Sequence, residues 1–360
     1  MPQSLPHASW YPERLAARLP YLHRRRLLIS ATRAWFTGRG YQEVETPYAV
    51  PTPGEEVHLS PFRTEFISPQ GERCPLFLHT SPEFAMKKLL AGGSGPIFQL
   101  ARVWRNGEIG ELHAPEFTML EWYLPGAGMG ALMAETEEYL RAVLPPVVTC
   151  RGVTSELAVF ERITMAEAFA RYVGADMFAT VGNAPALAAA AGATLRAGET
   201  WEDLFFRLLL ELIEPCIGRS RPTFLTHWPA AEAALARRDP ADPRVAERFE
   251  LFLCGIELAN AFVELIDPVE QRARFEADRA RRHALTGHAL TGHDLTGHDP
   301  TGHDLAAPDL VAQDWPLDEE LLAALASGVP PCAGIALGFD RLAMIAAGAP
   351  RLADVLWLPC

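Results

Sequence analysis

Apolar positions along this 360-residue chain alternate between helical spacing and short β-like runs. Helical spacing predicts helices over residues 20–40, 129–143 and 200–213, the last with Leu204, Leu208 and Leu212 on one buried face. Ser81, Pro82 and Glu83 open another helix, with a Ser cap and Pro at the first helical position. Apolar runs over 97–104 and 117–124 predict an antiparallel hairpin, and two more strands flank Gly255. Antiparallel strands with flanking helices indicate an α+β fold in a single domain spanning 1–360.

Composition excludes several classes of protein. No uninterrupted apolar run approaches the ~20 residues of a membrane helix, and the amino terminus lacks a secretory core, so we expect a cytoplasmic protein. The six cysteines form no CxxC pair, which argues against a zinc cage. A net charge of −13 disfavours wrapping on nucleic acid. The basic run at 22–28, LHRRRLL, is interpreted as a charged helix face rather than a tRNA site.

A five-residue repeat lies near the carboxyl third of the chain. It spaces five histidines evenly: His283, His288, His293, His298 and His303. Five histidines allow metal binding, but a spacing of five drifts around a helix and the Thr-Gly-His-Asp units favour a polar loop. We therefore predict a disordered insertion over 283–313 and keep metal binding as the alternative.

Two separated arginines are the main candidates for chemistry. Arg105 lies between the predicted hairpin strands in FQLARVWRNGEIGELHAPEFTMLEWY (98–123), and Arg341 lies in GIALGFDRL (334–342). Planar guanidinium groups match phosphate oxygens, and two of them could hold a triphosphate while charge builds at the attacked phosphorus. A surface arginine and an ordinary Asp-Arg helix cap are the alternatives.

Carboxylates supply a second set of candidates. Glu250 and Glu257 stand on either side of Gly255, so a turn could bring both to one Mg²⁺, an ion that prefers oxygen ligands shared with phosphates. A solvated glutamate pair is the alternative. Glu83 in a first helical turn could instead simply complement the helix dipole.

Five segments together resemble the catalytic core of class II lysyl-tRNA synthetases and, most closely, their truncated relatives, the elongation factor P lysine ligases. They are TSPEFAMKKLLAGG, FQLARVWRN, PEFTMLEWY, RVAERFELFLCGIELAN and GIALGFDRL. The resemblance spans about residues 21–359 and implies an antiparallel sheet flanked by helices. Only about forty residues precede the short strand predicted from Tyr41, where the resemblance places the family's first motif, so we expect no anticodon-binding domain and consider tRNA an unlikely partner. The helix, strand and proline at 20–47 would form a homodimer interface, or else an ordinary helix-to-strand turn.

The resemblance also implies roles for individual residues. Arg105 and Arg341 would be catalytic, clamping the α- and γ-phosphates. The ATP site would contain Arg105, Asn106, Glu108, His113, Phe117, Glu257, Leu258, Gly338 and Arg341. The amino-acid site would contain Ser81, Pro82, Glu83, Tyr123, Asn260, Glu264 and Ala336. Glu250 and Glu257 would bind magnesium. Glu264 would receive the distal ammonium of a lysine-like substrate, and Glu83 the other amino group.

Some positions depart from the family pattern. Gly107 stands where the family has a glutamate that meets adenine, unless Glu108 substitutes for it; Ala114 replaces an asparagine, Ala261 a glycine and Val263 a histidine. Ala336 fits the elongation factor P branch. We therefore expect an ATP-dependent ligase that adenylates a lysine-type amino acid, with (R)-β-lysine favoured, and transfers it to a lysine of elongation factor P. A degenerate paralogue that regulates a partner, and a ligase acting on tRNA or a small amine, are the alternatives.

Overall fold

The computed structural model describes residues 9–57, 59–233, 235–290 and 315–359, with side chains in 284–290 excluded. The strands in these ranges are β1 (Gln42–Glu43), β2 (Ala49–Val50), β3 (Phe62–Ile67), β4 (Arg73–Leu78), β5 (Ile97–Trp104), β6 (Glu116–Pro125), β7 (Val147–Cys150), β8 (Val153–Glu156), β9 (Glu161–Thr164), β10 (Thr223–Pro229), β11 (Val245–Leu253), β12 (Ile256–Val263) and β13 (Cys332–Gly338). The α-helices are α1 (Pro12–Gly38), α2 (Glu83–Ala91), α3 (Met129–Val143), α4 (Met165–Ala168), α5 (Ala184–Ala191), α6 (Trp201–Leu208), α7 (Pro268–Leu290), α8 (Glu319–Gly328) and α9 (Phe339–Ala347).

Eight of these strands form one sheet in the order β1-β5-β6-β13-β12-β11-β10-β9. The pairs at the two edges, β1 with β5 and β9 with β10, are parallel, and all pairs between them are antiparallel. β13 comes last in the chain yet lies in the middle, between β6 and β12. This mostly antiparallel sheet with helices around it confirms the predicted α+β class.

Side chains along the central strands alternate between the two faces of the sheet, one packed in the main core and the other open. Leu120 and Trp122 of β6, Ile335 and Leu337 of β13 and Ala261 of β12 point into the main apolar core. The helices α1, α3 and α9 contribute to the same core. Since side chains alternate with period two, the intervening residues of these strands face the other way. That second face carries the polar residues described below.

Most predicted elements agree with the structure. The helix over 129–143 and the strand over 97–104 have the predicted bounds, and the second hairpin strand is one residue longer at each end. The first helix begins at Pro12, eight residues before the predicted start, and continues through Pro20. Proline normally breaks a helix interior because it lacks an N–H. Here Leu22 and Arg25 of the same helix are buried, so tertiary packing outweighs that cost.

The helix predicted over 200–213 changes geometry in its second half. A capping box between Thr200 and Asp203 starts α6 as expected, but residues 209–213 form a π-helical turn. The wider turn moves the apolar face, so Leu209 and Ile213 are buried. The prediction that Leu212 lies in the core is therefore wrong, because its side chain is exposed.

The boundary predicted for the histidine repeat also shifts. The helix α7 continues to Leu290, so the first residues of the insertion predicted over 283–313 are helical. The remainder of the predicted disordered or metal-binding repeat, residues 291–313, lies outside the described residues. Among the described helices, none combines the length and apolar character that crossing a bilayer requires.

Candidate active site

Two rows of residues run across the open face of the sheet. Cross-strand pairing aligns Glu121 of β6, Ala336 of β13, Asn260 of β12 and Glu250 of β11 in one row. The adjacent row, two residues along each strand, is Tyr123, Gly334, Phe262 and Arg248. Polar groups from four strands therefore converge, although they are up to 215 residues apart in the chain.

A cavity of about 480 Å³ lies over these rows. The predicted residues that line it are Ser81, Glu83, Arg105, Glu108, His113, Phe117, Tyr123, Glu250, Glu257, Leu258, Asn260, Glu264, Ala336, Gly338 and Arg341. Pro82 and Asn106 do not line it. Pro82 is buried at the start of α2, and the backbone N–H of Asn106 donates to the Ser60 carbonyl at 2.6 Å. Both arginines predicted to be catalytic thus share one cavity.

Arg105 has donors available for a ligand. Its NH1 lies 3.7 Å from the Glu108 carboxylate, and its guanidinium lies 5.2 Å from the centroid of the Phe117 ring. The Nε atom is buried and has no hydrogen-bond partner among the described residues. A buried donor without a partner is costly, so this geometry fits an anionic ligand that accepts from it.

Arg341 is held in place by neighbouring groups. Its NH1 donates to the Glu257 carbonyl at 2.8 Å and to the carboxylate at 3.2 Å, and its NH2 donates to His113 Nε2 at 2.8 Å. Burial and the Arg341 charge both lower the pKa of His113, which keeps the ring neutral and able to accept. The guanidinium is therefore fixed at the cavity wall before any ligand binds.

Glu83 and Glu264, the carboxylates predicted to bind the substrate's amino groups, share a cation from the chain itself. The ammonium Nζ of Lys87 lies 2.5 Å from Glu83 Oε1 and 2.5 Å from Glu264 Oε2. Lys87 is buried, on the same helix as Glu83 and one turn away. The other oxygen of Glu264, Oε1, is buried and has no hydrogen-bond partner among the described residues. That oxygen can accept from a ligand.

A third carboxylate, Glu121, lies beside this pair and is held by hydroxyl groups. Ser81 Oγ donates to its Oε2 at 2.8 Å, and Tyr123 OH donates to its Oε1 at 2.7 Å. Burial, followed by the charge of Glu83, raises the pKa of Glu121 to about 8. Burial also raises the pKa of Glu264 to about 8. Three carboxyl groups surround one lysine here, so this part of the cavity becomes strongly anionic when Glu121 and Glu264 lose their protons.

Gly334 allows this acidic cluster to pack against β13. A Cβ at this position would lie 2.5 Å from both Glu264 Oε1 and Tyr123 Cε1. We expect Gly334→Ala to displace both side chains and to raise the KM for the predicted amino-acid substrate by about tenfold or more, because overpacking forces such shifts. Amino-acid-dependent pyrophosphate exchange measures this KM, and the KM for ATP should change little.

Gly130→Ala is the matched control for this prediction. Gly130 is exposed in α3, and an added Cβ there would meet no atom within 4 Å. The control should keep the parental KM for the amino acid. An unchanged amino-acid KM in folded Gly334→Ala would contradict the predicted packing of Glu264 and Tyr123.

The two predicted magnesium ligands are not equivalent. Glu250 is buried and accepts from Arg248 NH2 at 2.9 Å, whereas Glu257 is more exposed and pairs with Arg341. Burial, followed by the charge of Glu257, raises the pKa of Glu250 to about 8. The described residues contain no group of three or more metal-ligating side chains. Two carboxylates suit magnesium, which usually completes its shell with water and phosphate oxygens.

The departures from the family pattern have a structural context. Gly107 has a positive φ of 85°, a backbone conformation that is strained for any residue with a side chain. Glu108, the next residue, lines the cavity beside Arg105, where the substituting carboxylate was predicted. Ala114 packs with Leu352 and Leu356 near the carboxyl terminus.

Lys87, Glu121 and Arg248 are cavity-region residues that the sequence reasoning missed. Arg248 donates to Asn260 Oδ1 at 3.1 Å as well as to Glu250, so it joins the predicted amino-acid and metal ligands. Spacing gives a partial signal for all three residues, because it places each beside a predicted site residue. Lys87 follows Glu83 by four on a helix, and Glu121 and Arg248 precede Tyr123 and Glu250 by two on strands.

Comparison with known proteins agrees with the geometry. A family model described as class II tRNA synthetases (D, K and N) matches residues 16–360. The chain is 41% identical over 354 residues to the elongation factor P–(R)-β-lysine ligase of Sodalis glossinidius (strain morsitans), covering 97% of each chain. Proteins of the same name from Salmonella dublin and Salmonella arizonae are also 41% identical, over 353 residues and 97% of each chain. These matches confirm the resemblance found in the motifs.

Proposed function

Because the chain belongs to the class II tRNA synthetase family and groups with the elongation factor P–(R)-β-lysine ligases, we propose that its cavity adenylates a lysine-type amino acid. One observation carries the proposal. Arg105 Nε and Glu264 Oε1 are both buried atoms without hydrogen-bond partners among the described residues, and both belong to residues that line the same cavity, one a guanidinium and the other a carboxyl group. A ligand that is anionic at one end and cationic at the other satisfies both.

Strand register supports a cavity with a phosphate-binding end and an amino-group-binding end. Tyr123 and Gly334, next to Glu264, lie toward one end of β6 and β13. Phe117 and Gly338 lie toward the other end, near Arg105 and Arg341. The six residue-to-residue steps from Phe117 to Tyr123 span about 20 Å. The phosphates would bind at the arginine end and the amino groups at the carboxylate end.

In the first step, a carboxylate oxygen of the amino acid attacks the α-phosphorus of ATP, and the bond to pyrophosphate breaks. Arg105 and Arg341 would stabilise the charge that builds on the phosphate oxygens. Arg341 is already fixed by Glu257 and His113, so little reorganisation is needed during the reaction. Holding the two reactants in line can lower the barrier by several kcal/mol.

Magnesium fits the carboxylates present. Glu250 and Glu257 line the cavity from adjacent strands and would hold the ion through oxygen atoms. The bound ion would supply positive charge that neutralises phosphate oxygens. Arg248, which donates to Glu250, would orient that carboxylate.

In the second step, the ε-amine of an acceptor lysine attacks the acyl carbon, AMP leaves, and the amine loses a proton as the amide forms. The names of the relatives point to elongation factor P as the acceptor and (R)-β-lysine as the acyl donor. No part of this chemistry requires an anticodon reader. We include a homodimer in the proposal, because the first helix and strand resemble the family's dimer motif.

Mass spectrometry of elongation factor P tests the proposal directly. The acceptor is incubated with the chain, ATP and either (R)-β-lysine or α-lysine. A mass increase of one lysyl residue with (R)-β-lysine is the expected result, with a smaller yield from α-lysine. No added mass on the acceptor, together with no amino-acid-dependent pyrophosphate exchange by the folded protein, would favour the regulatory paralogue.

The affinity for lysine should depend on pH. Because burial raises the pKa of Glu121 and Glu264 to about 8, both carboxyls hold protons at neutral pH that bound ammonium groups must displace. Affinity for lysine is therefore expected to increase with pH, by about tenfold per pH unit for each proton released, and to level off above the pKa. The measurement is the KM for lysine between about pH 6 and pH 9. A flat profile would mean that both carboxylates are already ionised.

A further inference from the structure

Lys87 is a buried cation that forms ion pairs with two carboxylates beside the cavity. Its Nζ contacts Glu83 and Glu264 and lies 5.5 Å from the centroid of the Phe262 ring. Burial alone would lower the pKa of this ammonium, but the carboxylates of Glu264 and Glu83 raise it above the usual value. Lys87 therefore remains protonated throughout the range in which the protein would work.

The charges in this corner do not balance. Three carboxylates, Glu83, Glu121 and Glu264, interact with one another and with Lys87. When all are ionised, one ammonium opposes three carboxylates and two negative charges remain. Ser81 and Tyr123 contribute hydroxyl donors to Glu121 but no positive charge. A buried surplus of this kind is costly unless a ligand supplies the missing cations.

We propose that Lys87 is a positioning residue that determines specificity, because it compensates one of three carboxylates and leaves the pocket matched to a ligand with two ammonium groups. The proposal rests on the proposed function and extends it to a residue that does not line the cavity. By holding Glu83 and Glu264 together, Lys87 fixes the oxygen atoms that accept from the ligand. A monoamine leaves one carboxylate uncompensated and binds less tightly.

A binding assay without catalysis tests the proposal. Cadaverine carries two ammonium groups and no carboxylate, and pentylamine carries one. By isothermal titration calorimetry, the unmodified protein is expected to bind cadaverine about tenfold or more tightly than pentylamine. Lys87→Ala is expected to weaken cadaverine binding by about tenfold or more, because Glu83 and Glu264 lose the cation that holds them together and separate.

Chemical rescue distinguishes the effect of the lost Lys87 charge from the effect of the lost packing. The atoms removed in Lys87→Ala correspond to n-propylammonium, so this cation at millimolar concentration should restore cadaverine binding, whereas neutral 1-propanol should not. Lys87→Met, which keeps the volume but removes the charge, should lose binding as Lys87→Ala does, and it serves if the alanine variant does not fold. Lys88→Ala is the matched control, because Lys88 lies next to it on α2 and pairs instead with Asp318 and Glu320.

Three results would overturn the proposal: equal affinity of the unmodified protein for the two amines, cadaverine affinity within about twofold of the parent in a folded Lys87 variant, or equal rescue by 1-propanol. These results are distinct from failure of the proposed function. Cadaverine binding that follows the expected pattern, in a protein that performs no amino-acid-dependent pyrophosphate exchange, would uphold Lys87 and reject the ligase.

Discussion

Replacing Arg105 with alanine is expected to slow amino-acid-dependent pyrophosphate exchange by about 100- to 1,000-fold, the usual cost of removing a donor from developing oxyanion charge. Arg105 lines the cavity, and its buried Nε has no partner among the described residues, so its donors are available to a phosphate. The effect should fall mainly on kcat, since the contact strengthens as charge builds. Steady-state exchange at saturating ATP measures it.

Arg102→Ala is the matched control for this prediction. Arg102 lies on the same hairpin and forms an exposed ion pair with Glu116 at 3.6 Å, outside the cavity lining. Its replacement should leave kcat within about twofold of the parent, because exposed ion pairs contribute little. Equal effects of the two substitutions would contradict a catalytic role for Arg105.

Replacing Asp340 with alanine is expected to destabilise the protein by about 3–5 kcal/mol, because it leaves the Arg25 guanidinium buried without its counter-ion. Both side chains of this ion pair are almost completely buried, and Asp340 also accepts from the Thr118 N–H at 3.0 Å. The pair joins α1 to the start of α9. Urea unfolding followed by circular dichroism measures the loss.

Asp354→Ala provides the comparison for that effect. Asp354 is also buried, but its partner Arg351 is largely exposed, so no buried charge is left behind. Asp354→Ala should lower the free energy of unfolding by less than about 1 kcal/mol. In addition, Arg25→Met combined with Asp340→Leu should lose less stability than Asp340→Ala, because no unpaired charge remains buried. A double variant less stable than Asp340→Ala would argue that the ion pair itself supplies the stability.

The same ion pair corrects part of the sequence interpretation. The run LHRRRLL was predicted to be a charged helix face, and Arg26 is indeed exposed. Arg25, however, turns inward and donates to Thr118 Oγ1 at 2.9 Å. Nothing in the local pattern distinguishes the two arginines, because the acidic partner Asp340 lies 315 residues away in the chain.

Local signals predicted the framework of the site. The hairpin of β5 and β6 carries strong alternation and clear turn residues, so its bounds and the position of Arg105 followed from the sequence. The Gly-Phe-Asp-Arg segment likewise indicated the start of α9. Motif resemblance added the residues that line the cavity. Its extent, about 21–359, agrees with the family match over 16–360.

What escaped prediction depends on contacts between distant segments. Spacing on α2 places Lys87 beside Glu83, but its second partner, Glu264, lies 177 residues later in the chain. Arg248 bridges Asn260 and Glu250 only because β11 and β12 pair in one particular register. The π-helical turn after Leu208 similarly depends on packing, since periodicity alone predicts a continuous α-helix.

The position of β13 in the sheet affects how the protein folds during its synthesis. This strand supplies Gly334, Ala336 and Gly338, and it inserts between β6 and β12. A ribosome therefore synthesises more than 330 residues before the central gap of the sheet can close. Until then, β6 and β12 present unpaired edges, the type of surface that recruits chaperones or aggregates. Nascent chains stalled before β13 should consequently be the species most dependent on folding assistance.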